Sequence, residues 1–355
     1  MAARTSDLGV ALRPHIKTHK CIEIARLQIE GGAQGLTVAT LDEADVFAPA
    51  GFNDITHAFP LDQGKIARAL DTAARITLRV VVDSRAVVEA LEKAAADRGQ
   101  KIHVWLKVDC GYHRAGVDPS AGYATELAHR IHVLPHLEFD GLLTHAGHAY
   151  KASTTADVLG IARQERDVLV EFARDLERVE VPIRAISVGS TPTVSVVDHL
   201  EGVQEVRPGN YVFYDRTQVM LGSCKIDDCA VTVLATVVSM QPNRRQAVMD
   251  AGALALSHDP GPVHLDQAPS KGAIVTGTDP SVLHPHLRIT SLSQEHGILE
   301  GDRPEDLAGL EVGSRVRLLP NHSCLAVALF DEYQLVVGEQ VVDQWSIQRS
   351  RSYRS

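Results

Sequence analysis

The feature of the sequence that most restricts its fold is an alternation of short apolar runs and longer amphipathic stretches across residues 14–212. The apolar runs are rich in β-branched residues and have the length of strands, whereas the stretches between them have helical spacing. Strands that alternate with helices are typical of parallel βαβ units. The predicted strands are Pro14–Thr18, Gly35–Thr40, Asp54–Phe59, Ile76–Asp83, His103–Asp109, Phe139–His145, Ala185–Gly189 and Val203–Val212.

The number of these strands predicts a (β/α)8 barrel of the TIM type for this part of the chain, because such a barrel has eight parallel strands. An open, doubly wound parallel sheet is the alternative that the alternation leaves. In a barrel, the loops at the carboxyl ends of the strands form the active face. Residues that directly follow the predicted strands are therefore the first candidates for chemistry.

The pattern changes after Tyr214. From Asp228 onward, strand-like runs such as Ala230–Met240 and Ala326–Phe330 follow one another without helical stretches between them. Turns rich in Gly, Pro and Asp separate these runs, which predicts an all-β domain. We therefore expect a barrel over residues 1–222 and a β domain over residues 223–355.

Charge and composition exclude several classes of partner. The 355-residue chain has a formal net charge of −10 and no basic stripe with interleaved aromatic residues, so nucleic acid is not an expected partner. No apolar run reaches the roughly 18 residues of a membrane-spanning helix, so a membrane is not an expected partner either. The five cysteines are scattered without a CxxC pair, which favours reduced thiols in the cytoplasm.

The stretch RPHIKTHK, which runs from Arg13 to Lys20, offers a lysine for covalent chemistry. On an extended strand, His15, Lys17 and His19 would share one face, because side chains alternate with a period of two. Neighbouring cations lower the pKa of a lysine, as an amine that forms an imine requires. The alternative is a solvated surface lysine, and we expect Lys20 to begin the following helix.

Two glycine-containing turns follow the predicted seventh and eighth strands. In VGSTPT (Val188–Thr193), the glycine lets backbone N–H groups approach an anion, and the hydroxyls of Ser190 and Thr191 add donors. A second turn, RPGNY, contains Gly209. Turns after strands 7 and 8 form the usual phosphate site of a barrel, so the two together predict a phosphorylated ligand. An ordinary helix N-cap is the alternative for VGSTPT.

The segment PNHSCLAVALF contains His322 and Cys324 two residues apart, so both side chains would face one side of a strand or extended loop. Imidazole and thiolate are ligands suited to Zn²⁺. Two protein ligands leave coordination positions for water and substrate. The alternative is a core cysteine beside a polar histidine.

Taken together, these segments resemble those of the fold-type III pyridoxal-phosphate (PLP) enzymes, the alanine racemase superfamily, in its D-serine dehydratase and D-threonine aldolase group. The resemblance covers nearly the whole chain, because the matching segments occur in the family's order. They are RPHIKTHK, LKVDCGYHRAGV, THAGHAY, SVGSTPT, VRPGNYVFYD, LSQEHG and PNHSC. The resemblance implies a PLP-binding barrel followed by a β domain that carries a metal-ligand pair.

The resemblance also implies roles for individual residues. Lys17 matches the Schiff-base lysine, and Arg114 matches the arginine that contacts the phenolic oxygen of PLP. Arg207 stands where the family has an arginine on the pyridine nitrogen. His322 and Cys324 match the zinc pair of the dehydratases. The remaining matches to cofactor-binding positions are Tyr150 beside the cofactor and Thr191, Gly209 and Asn210 at the phosphate.

These roles imply a PLP- and zinc-dependent lyase for a small D-β-hydroxy amino acid, with Mn²⁺ or another divalent ion as the alternative metal. The first expectation is a D-serine dehydratase, in which Lys17 removes the Cα proton and pyruvate and ammonia are formed. The alternative is aldolase cleavage of D-threonine, in which His148 or a bound water takes the hydroxyl proton.

A non-catalytic PLP-binding protein is a further alternative. A racemase is disfavoured, because the β domain offers no convincing second-base tyrosine. The resemblance also implies a homodimer.

In one respect the chain departs from the family. Members carry a further strand and helix before the segment that matches RPHIKTHK, whereas twelve residues precede Arg13 here. We therefore expect either a shortened start or a β domain without the strand that it usually takes from the N-terminus. Either would reduce stability and hence activity.

Overall fold

The structure, a computed structural model, describes residues 1–266, 268–276 and 282–348. The chain divides into two compact units. Of the described residues, the barrel unit comprises 1–149, 156–209 and Gln348, and the sheet unit comprises those within 150–155 and 210–347. Residues 349–355, which end the predicted β domain, lie outside the described residues.

The barrel unit is built on eight parallel strands. They are β1 Ala11–Leu12, β2 Leu36–Val38, β3 Asp54–Pro60, β4 Thr77–Val82, β5 Ile102–Lys107, β6 Leu137–Leu143, β7 Ala185–Val188 and β8 Glu205–Val206. Their order is β1-β8-β7-β6-β5-β4-β3-β2, and a parallel bridge between His15 and Thr37 joins its two ends. The sheet therefore closes on itself, which confirms the predicted barrel and excludes the open sheet.

Helices precede β1 or connect the strands of this sheet, and they bury apolar side chains. They are α1 Ala2–Asp7, α2 Ile22–Glu30, α3 Leu41–Phe47, α4 Ile66–Ala73, α5 Arg85–Asp97, α6 Gly122–Val133, α7 Thr155–Arg178 and α8 Thr191–Val196. In α4, for example, Ile66, Ala69 and Leu70 are buried at the i, i+3, i+4 spacing of one helical face. The apolar spacing that predicted helices between the strands is thus the spacing of the residues that these helices bury.

The predicted first strand is wrong in position, and the predicted eighth strand is too long. Residues 14–18 do not form a strand, because β1 ends at Leu12 and Ile16–Thr18 form a 3-10 helix. Only Glu205–Val206 of the predicted eighth strand is a strand. Pro14 and Pro208 follow the two short strands closely, and a proline has no N–H group with which to continue a ladder.

Two kinds of layer fill the inside of the barrel. Val81, Trp105 and Leu143 form an apolar cluster contributed by β4, β5 and β6. Arg79 of β4 forms an ion pair with Asp140 of β6 across 3.0 Å, although these strands are not neighbours in the sheet. A contact between strands that are not neighbours must cross the interior, so charged side chains also form part of the barrel core.

The sheet unit contains a six-stranded antiparallel sheet and a separate two-stranded ribbon. The strands are β9 Val233–Gln241, β10 Gln246–Met249, β11 Gly272–Val275, β12 Leu287–Leu292, β13 Gly297–Gly301, β14 Arg315–Pro320, β15 Glu332–Val337 and β16 Gln340–Ser346. The sheet has the order β11-β14-β9-β10-β13-β12, and β15 pairs with β16. These antiparallel sheets confirm the predicted β fold of this part of the chain.

Three short helices accompany this sheet: α9 Arg216–Met220, α10 Ala253–Leu256 and α11 Ser323–Val327. The last contradicts the predicted strand Ala326–Phe330. The run LAVALF is apolar without a period of two, and such a run does not distinguish a buried strand from a buried helix. No helix of the described ranges is both long enough and apolar enough to cross a membrane.

Candidate cofactor and metal sites

Lys17 lies on the 3-10 helix Ile16–Thr18 that follows β1, and its side chain is exposed. His15 caps this helix, and its Nδ1 accepts the N–H of Lys17 at 3.4 Å. Burial, followed by the charges of Lys17 and Arg207, lowers the pKa of His15 well below its ordinary value. His15 is therefore neutral at neutral pH and adds no positive charge beside Lys17.

His19 and Lys20 have surroundings different from those of Lys17. Nε2 of His19, which is buried, lies 3.1 Å from Oε1 of Gln28. Lys20 has a φ of +48° and pairs with Glu43 at 3.2 Å, before α2 begins. Because residues 16–18 are helical, the period of two does not apply, and the predicted shared face of His15, Lys17 and His19 is wrong. Lys20 does not begin the helix.

Arg207, directly after β8, is buried and held at two points. Its guanidinium donates to the hydroxyl of Ser187 on β7 and to the backbone oxygen of Thr144 after β6. Burial lowers the pKa of Arg207 to about 10, against the opposing charges of Glu205 and Glu165. The guanidinium is therefore still charged at neutral pH, and its orientation is fixed.

Lys107, the last residue of β5, is a second buried cation that the sequence analysis did not identify. Its exposed fraction is 6%, and burial, Arg207 and Arg114 together lower its pKa to about 7. The period of two along β5 could have found it, because Lys107 shares the inward face of Trp105. Positive charges thus gather at the carboxyl ends of these strands, which suits an anionic ligand.

The loops after β5 and β6 meet at Tyr112, another residue that sequence reasoning missed. Cζ of Arg114 lies 4.9 Å from the centroid of the Tyr112 ring. His148 stacks on the same ring with centroids 6.1 Å apart, and His145 meets its edge at 6.2 Å. This approach requires Gly147, because a Cβ there would lie 2.3 Å from Cε1 of Tyr112.

Both ring nitrogens of His148 are buried without a hydrogen-bond partner in the described part of the chain. Leaving a buried donor or acceptor unsatisfied costs free energy, typically about 1–3 kcal/mol. His148 is therefore a candidate to bind a ligand atom. The segment THAGHAY thus combines a close-packing glycine with a histidine that lacks a partner.

Ser190 caps α8. Its hydroxyl accepts the N–H of Thr193 at 3.4 Å, and the hydroxyl of Thr193 accepts the N–H of Ser190 at 2.9 Å. The N-cap interpretation of VGSTPT is therefore confirmed, and Thr191 is buried as the first residue of the helix. Gly189 has a φ of +100°, a conformation that favours glycine.

Glu165 of α7 fixes the loops on either side of this turn. Its Oε1 accepts the N–H of Ala146 at 2.9 Å and the N–H of Gly189 at 3.0 Å. This buried carboxylate holds the ends of β6 and β7 together. The sequence could not reveal it, because a glutamate in an amphipathic helix is ordinarily solvated.

Gly209 brings the loop after β8 against the helix that bears Lys17. A Cβ at Gly209 would lie 3.0 Å from the backbone oxygen of His15 and 3.1 Å from Oγ1 of Thr18. Lys17, Arg207 and the two glycine turns are therefore brought to the same end of the barrel. This cationic end, with the unsatisfied nitrogens of His148, fits a phosphorylated aldehyde cofactor such as PLP.

Tyr150 and Asn210, two further candidates for cofactor binding, belong to the sheet unit. Nδ2 of Asn210 donates to Oδ2 of Asp215 at 2.7 Å and to the hydroxyl of Ser323 at 2.9 Å. The same nitrogen lies 3.5 Å from Sγ of Cys324. Within this unit, Asn210 therefore supports the segment that carries the predicted metal ligands.

His322 immediately precedes α11, and Cys324 lies in the first turn of this helix. The predicted placement along a strand or extended loop is wrong, but the two side chains are within hydrogen-bonding contact. Nδ1 of His322 lies 2.8 Å from Oδ2 of Asp259. Burial lowers the pKa of His322, but its hydrogen bonds with Asp259 and Cys324 prevail and raise it to about 10.

This arrangement fits a metal ion with few protein ligands. Since Nδ1 of His322 faces Asp259, its Nε2 and Sγ of Cys324 are the donors that remain for a metal. No group of three or more His, Cys, Asp or Glu residues suited to a metal occurs among the described residues. Asp259, 63 residues earlier in the chain, lies in the segment HDPGPVH, which is one of the predicted turns rich in Gly, Pro and Asp.

The barrel unit is a closed (β/α)8 barrel with a cationic carboxyl end and an exposed lysine after its first strand, and an antiparallel sheet unit follows it in sequence. These features define the alanine racemase-like class. Residues 1–217 match the family described as "Alanine racemase, N-terminal domain", and residues 230–336 match the "Putative serine dehydratase domain". The chain belongs to this family, in the group that contains D-serine dehydratases and D-threonine aldolases.

Similar proteins align over nearly the whole chain. D-serine dehydratase from Dictyostelium discoideum is 37% identical, over 96% of this chain and 90% of its own. D-threo-3-hydroxyaspartate dehydratase from Delftia sp. HT23 is 36% identical, and a solved structure of it has a TM-score of 0.91, covering 98% of this chain and 93% of that one. Alanine racemase of Clostridium difficile 630 shares the fold, with a TM-score of 0.70 at 14% identity.

Proposed function

We propose that the chain is a PLP- and zinc-dependent lyase that converts D-serine to pyruvate and ammonia. The observation that carries this proposal is the alignment of a D-serine dehydratase with 96% of this chain at 37% identity. The chemistry of the two candidate sites supports it. The barrel unit offers a lysine among fixed cations, and the sheet unit offers an imidazole and thiol pair.

The residues proposed to hold PLP are Lys17, through a covalent bond from Nζ, together with Arg114, Tyr150, Ser190, Thr191, Arg207, Gly209 and Asn210. PLP, when bound, delocalises the negative charge left on a substrate carbon after a proton is removed. Arg207 retains its own proton at neutral pH, because its pKa remains at about 10. It is therefore suited to donate a hydrogen bond to a ring nitrogen without protonating it.

Lys17 is proposed to remove the Cα proton of the substrate when its amine is not bonded to the cofactor. The side chain is exposed at the end of the barrel, so it is accessible to a cofactor and to a substrate. His15 is neutral and hydrogen-bonded to the backbone of Lys17. It therefore anchors the helix that carries the base without adding charge.

His322 and Cys324 are the residues proposed to hold zinc, with Mn²⁺ or another divalent ion as the alternative. A metal there would supply a Lewis acid for the β-hydroxyl group of the substrate. Asp259 supports this assignment, because a carboxylate on the second ring nitrogen orients a histidine ligand. One solved structure of D-threo-3-hydroxyaspartate dehydratase is of a cysteine-to-alanine mutant in the metal-free form.

Aldolase cleavage of D-threonine to glycine and acetaldehyde is the second candidate. D-threonine aldolase from Arthrobacter sp. is 29% identical over 98% of this chain. His148 favours this reaction, because both of its ring nitrogens lack a partner among the described residues and the one without a proton is able to accept that of a substrate hydroxyl. In the dehydratase reaction the bond between Cβ and the hydroxyl oxygen breaks instead, so the hydroxyl is the leaving group.

Incubation of the PLP-loaded protein with D-serine, D-threonine and D-threo-3-hydroxyaspartate separates these reactions. We expect D-serine to yield equal amounts of pyruvate and ammonia, and Lys17→Ala to yield neither. Release of ammonia from hydroxyaspartate alone would assign the other dehydratase reaction. Formation of glycine without ammonia would replace the dehydratase proposal with the aldolase.

We also propose that the protein is a homodimer and that it is located in the cytoplasm. The family resemblance supports the homodimer, and the scattered cysteines of the sequence support a reducing compartment. Light scattering of the purified protein measures its mass directly. Fractionation of the producing cells tests the location.

A further inference from the structure

A chain of polar contacts runs from Arg207 into the interior of the barrel. Arg207 donates to the hydroxyl of Ser187, and this hydroxyl lies 2.6 Å from Oε1 of Glu205. The other carboxylate oxygen of Glu205 accepts Nε–H of Arg13 at 2.5 Å. All four side chains are buried, with exposed fractions between 0% and 7%. Water therefore does not compete effectively for these contacts.

The chain continues across the barrel with charges that alternate in sign. Arg13 pairs with Asp54 at 2.6 Å, Asp54 also contacts Arg79, and Arg79 pairs with Asp140 at 3.0 Å. Glu205 is thus fixed by a guanidinium that is itself fixed by residues of β3, β4 and β6. Arg13 and Glu205, which are buried in this network, are thereby restricted to one arrangement.

Glu205 decides the direction of the hydrogen bond between Ser187 and Arg207. An ionised carboxylate only accepts hydrogen bonds, so the hydroxyl of Ser187 must donate its single proton to Glu205. The lone pairs of that hydroxyl then remain to accept the guanidinium of Arg207. With a donor in place of Oε1 of Glu205, the serine proton could point toward Arg207 and repel it.

We propose that Glu205 is a positioning residue that, through Ser187, orients the Arg207 guanidinium toward the PLP ring. This inference rests on the proposed lyase function and adds a residue to it. Glu205 itself does not contact the cofactor in this proposal. Its effect is transmitted by one hydroxyl, so removal of the hydroxyl and removal of the carboxylate charge must have the same consequence.

The test compares Glu205→Gln, Ser187→Ala and the double variant as PLP-loaded enzymes. We expect each to lower kcat for the best substrate about tenfold, the size typical of outer-shell partners, and to leave KM within about twofold. We expect the double variant to be no slower than Ser187→Ala, because both changes interrupt one pathway. A merely structural role would instead give additive losses that follow the loss of stability.

Glu138→Gln is the matched control. His103 lies 2.9 Å from Asp140 through Nδ1 and 3.3 Å from Glu138 through Nε2, so Glu138 is at the far end of the network from Arg207. It should retain the kcat of the unsubstituted enzyme. Ser187→Ala keeps the ion pair of Glu205 with Arg13, so it tests the proposal even if Glu205→Gln does not fold. Unchanged kcat in Ser187→Ala overturns the inference.

The same experiment distinguishes failure of the proposed lyase function from failure of the inference about Glu205. If the unsubstituted protein releases no product from any D-β-hydroxy amino acid, the lyase proposal fails and the inference that rests on it fails with it. If that protein is active and Ser187→Ala matches it, the inference alone fails.

Discussion

Lys17 is the residue on which the proposed chemistry depends, and its neighbour Lys20 provides a natural control. Lys17 is exposed after β1, whereas Lys20 is paired with Glu43. We expect Lys17→Ala to abolish the visible absorption band that lysine-bound PLP gives, and Lys20→Ala to retain it. Absorption spectra of the three proteins after loading with PLP measure this. A persistent band in Lys17→Ala would assign the covalent bond to another lysine.

Asp259 should matter for metal binding although it is not one of the proposed ligands. Its contact with Nδ1 of His322 orients the imidazole, so we expect Asp259→Asn to weaken zinc binding about 10- to 100-fold. Competition with a chromophoric chelator measures the affinity. Asp302→Asn is the control, because Asp302 lies 3.4 Å from Nδ1 of His286, outside the proposed site. Equal zinc affinity in both variants would contradict the role of Asp259.

Lys107 should make the stability of the PLP-free protein depend on pH. Its pKa is lowered to about 7 by burial and by Arg207 and Arg114, so above this pH the folded protein lacks a proton that the unfolded chain retains. Stability therefore rises with pH from about 7 until the ordinary lysine pKa, by at most about 1.4 kcal/mol per unit.

Below about pH 7, the buried positive charge of Lys107 lowers the free energy of unfolding by its full amount. Lys107→Met removes this contribution. The stability advantage of the variant over the unsubstituted protein should consequently shrink as the pH rises above about 7. Urea unfolding at a series of pH values tests this, and a difference that does not change with pH would show that Lys107 is not titrating there.

At the scale of residues, the sequence pointed to side chains that occur in compact motifs. Lys17, His322 and Cys324 were predicted as site residues in this way. Tyr112, Glu165 and Asp259 were not, because their importance comes from contacts with segments far away in the chain. Asp259 and His322, for example, are 63 residues apart. The shared face of His15, Lys17 and His19 was wrong because a 3-10 helix replaced the expected strand.

At the scale of elements, the pairing of β6 with β7 depends on the presence of glycine at position 141, which has no Cβ. Gly141 has a φ of +144°, and a Cβ there would lie 1.9 Å from the backbone oxygen of Ala185. We expect Gly141→Ala to lower the free energy of unfolding by about 3 kcal/mol or more. Urea unfolding followed by circular dichroism measures the loss.

Gly160 is the matched control for this substitution. It lies in α7 with no atom within 4 Å of its Cβ position. Gly160→Ala should therefore stabilise the protein by about 0.5–1 kcal/mol, the difference in helix propensity. Similar unfolding curves for Gly141→Ala and Gly160→Ala would refute the proposed clash at β7.

The alternation of strands and helices was sufficient to predict the eight-stranded barrel, because hydrophobic periodicity records which face of each element is buried. The ends of elements were less predictable. Pro14 was taken as the start of the first strand although β1 ends before it, and the predicted eighth strand ran through Pro208, although a proline has no N–H group with which to continue the hydrogen-bond ladder. The apolar run at α11 was assigned to a strand, since its length suits both structures.

At the scale of the whole molecule, the proposed cofactor lysine and the proposed metal ligands belong to different units. We expect a chelator to abolish lyase activity and leave the visible band of lysine-bound PLP unchanged, because Lys17 is not a metal ligand. Addition of zinc should restore the activity. Full activity after verified removal of metal would exclude zinc from the mechanism, and loss of the band would show that metal also maintains the barrel site.

The change from an α/β pattern to an all-β pattern was visible in the sequence, because the spacing of apolar residues differs between the two. The sequence did not show that short segments of the chain belong to the other unit. Residues 150–155 group with the sheet unit, and Gln348 groups with the barrel unit. Such exchanges depend on tertiary contacts, which leave no periodic signal in a short segment.

The return of the chain at Gln348 has a consequence for biosynthesis. The N–H of Gln348 donates to the backbone oxygen of Lys20 at 2.7 Å, three residues beyond Lys17. A ribosome makes the eight barrel strands long before it reaches this residue, and domains generally begin to fold during synthesis. The segment that bears the lysine therefore receives this backbone contact only after Gln348 has been synthesised, which is later than all eight strands of the barrel.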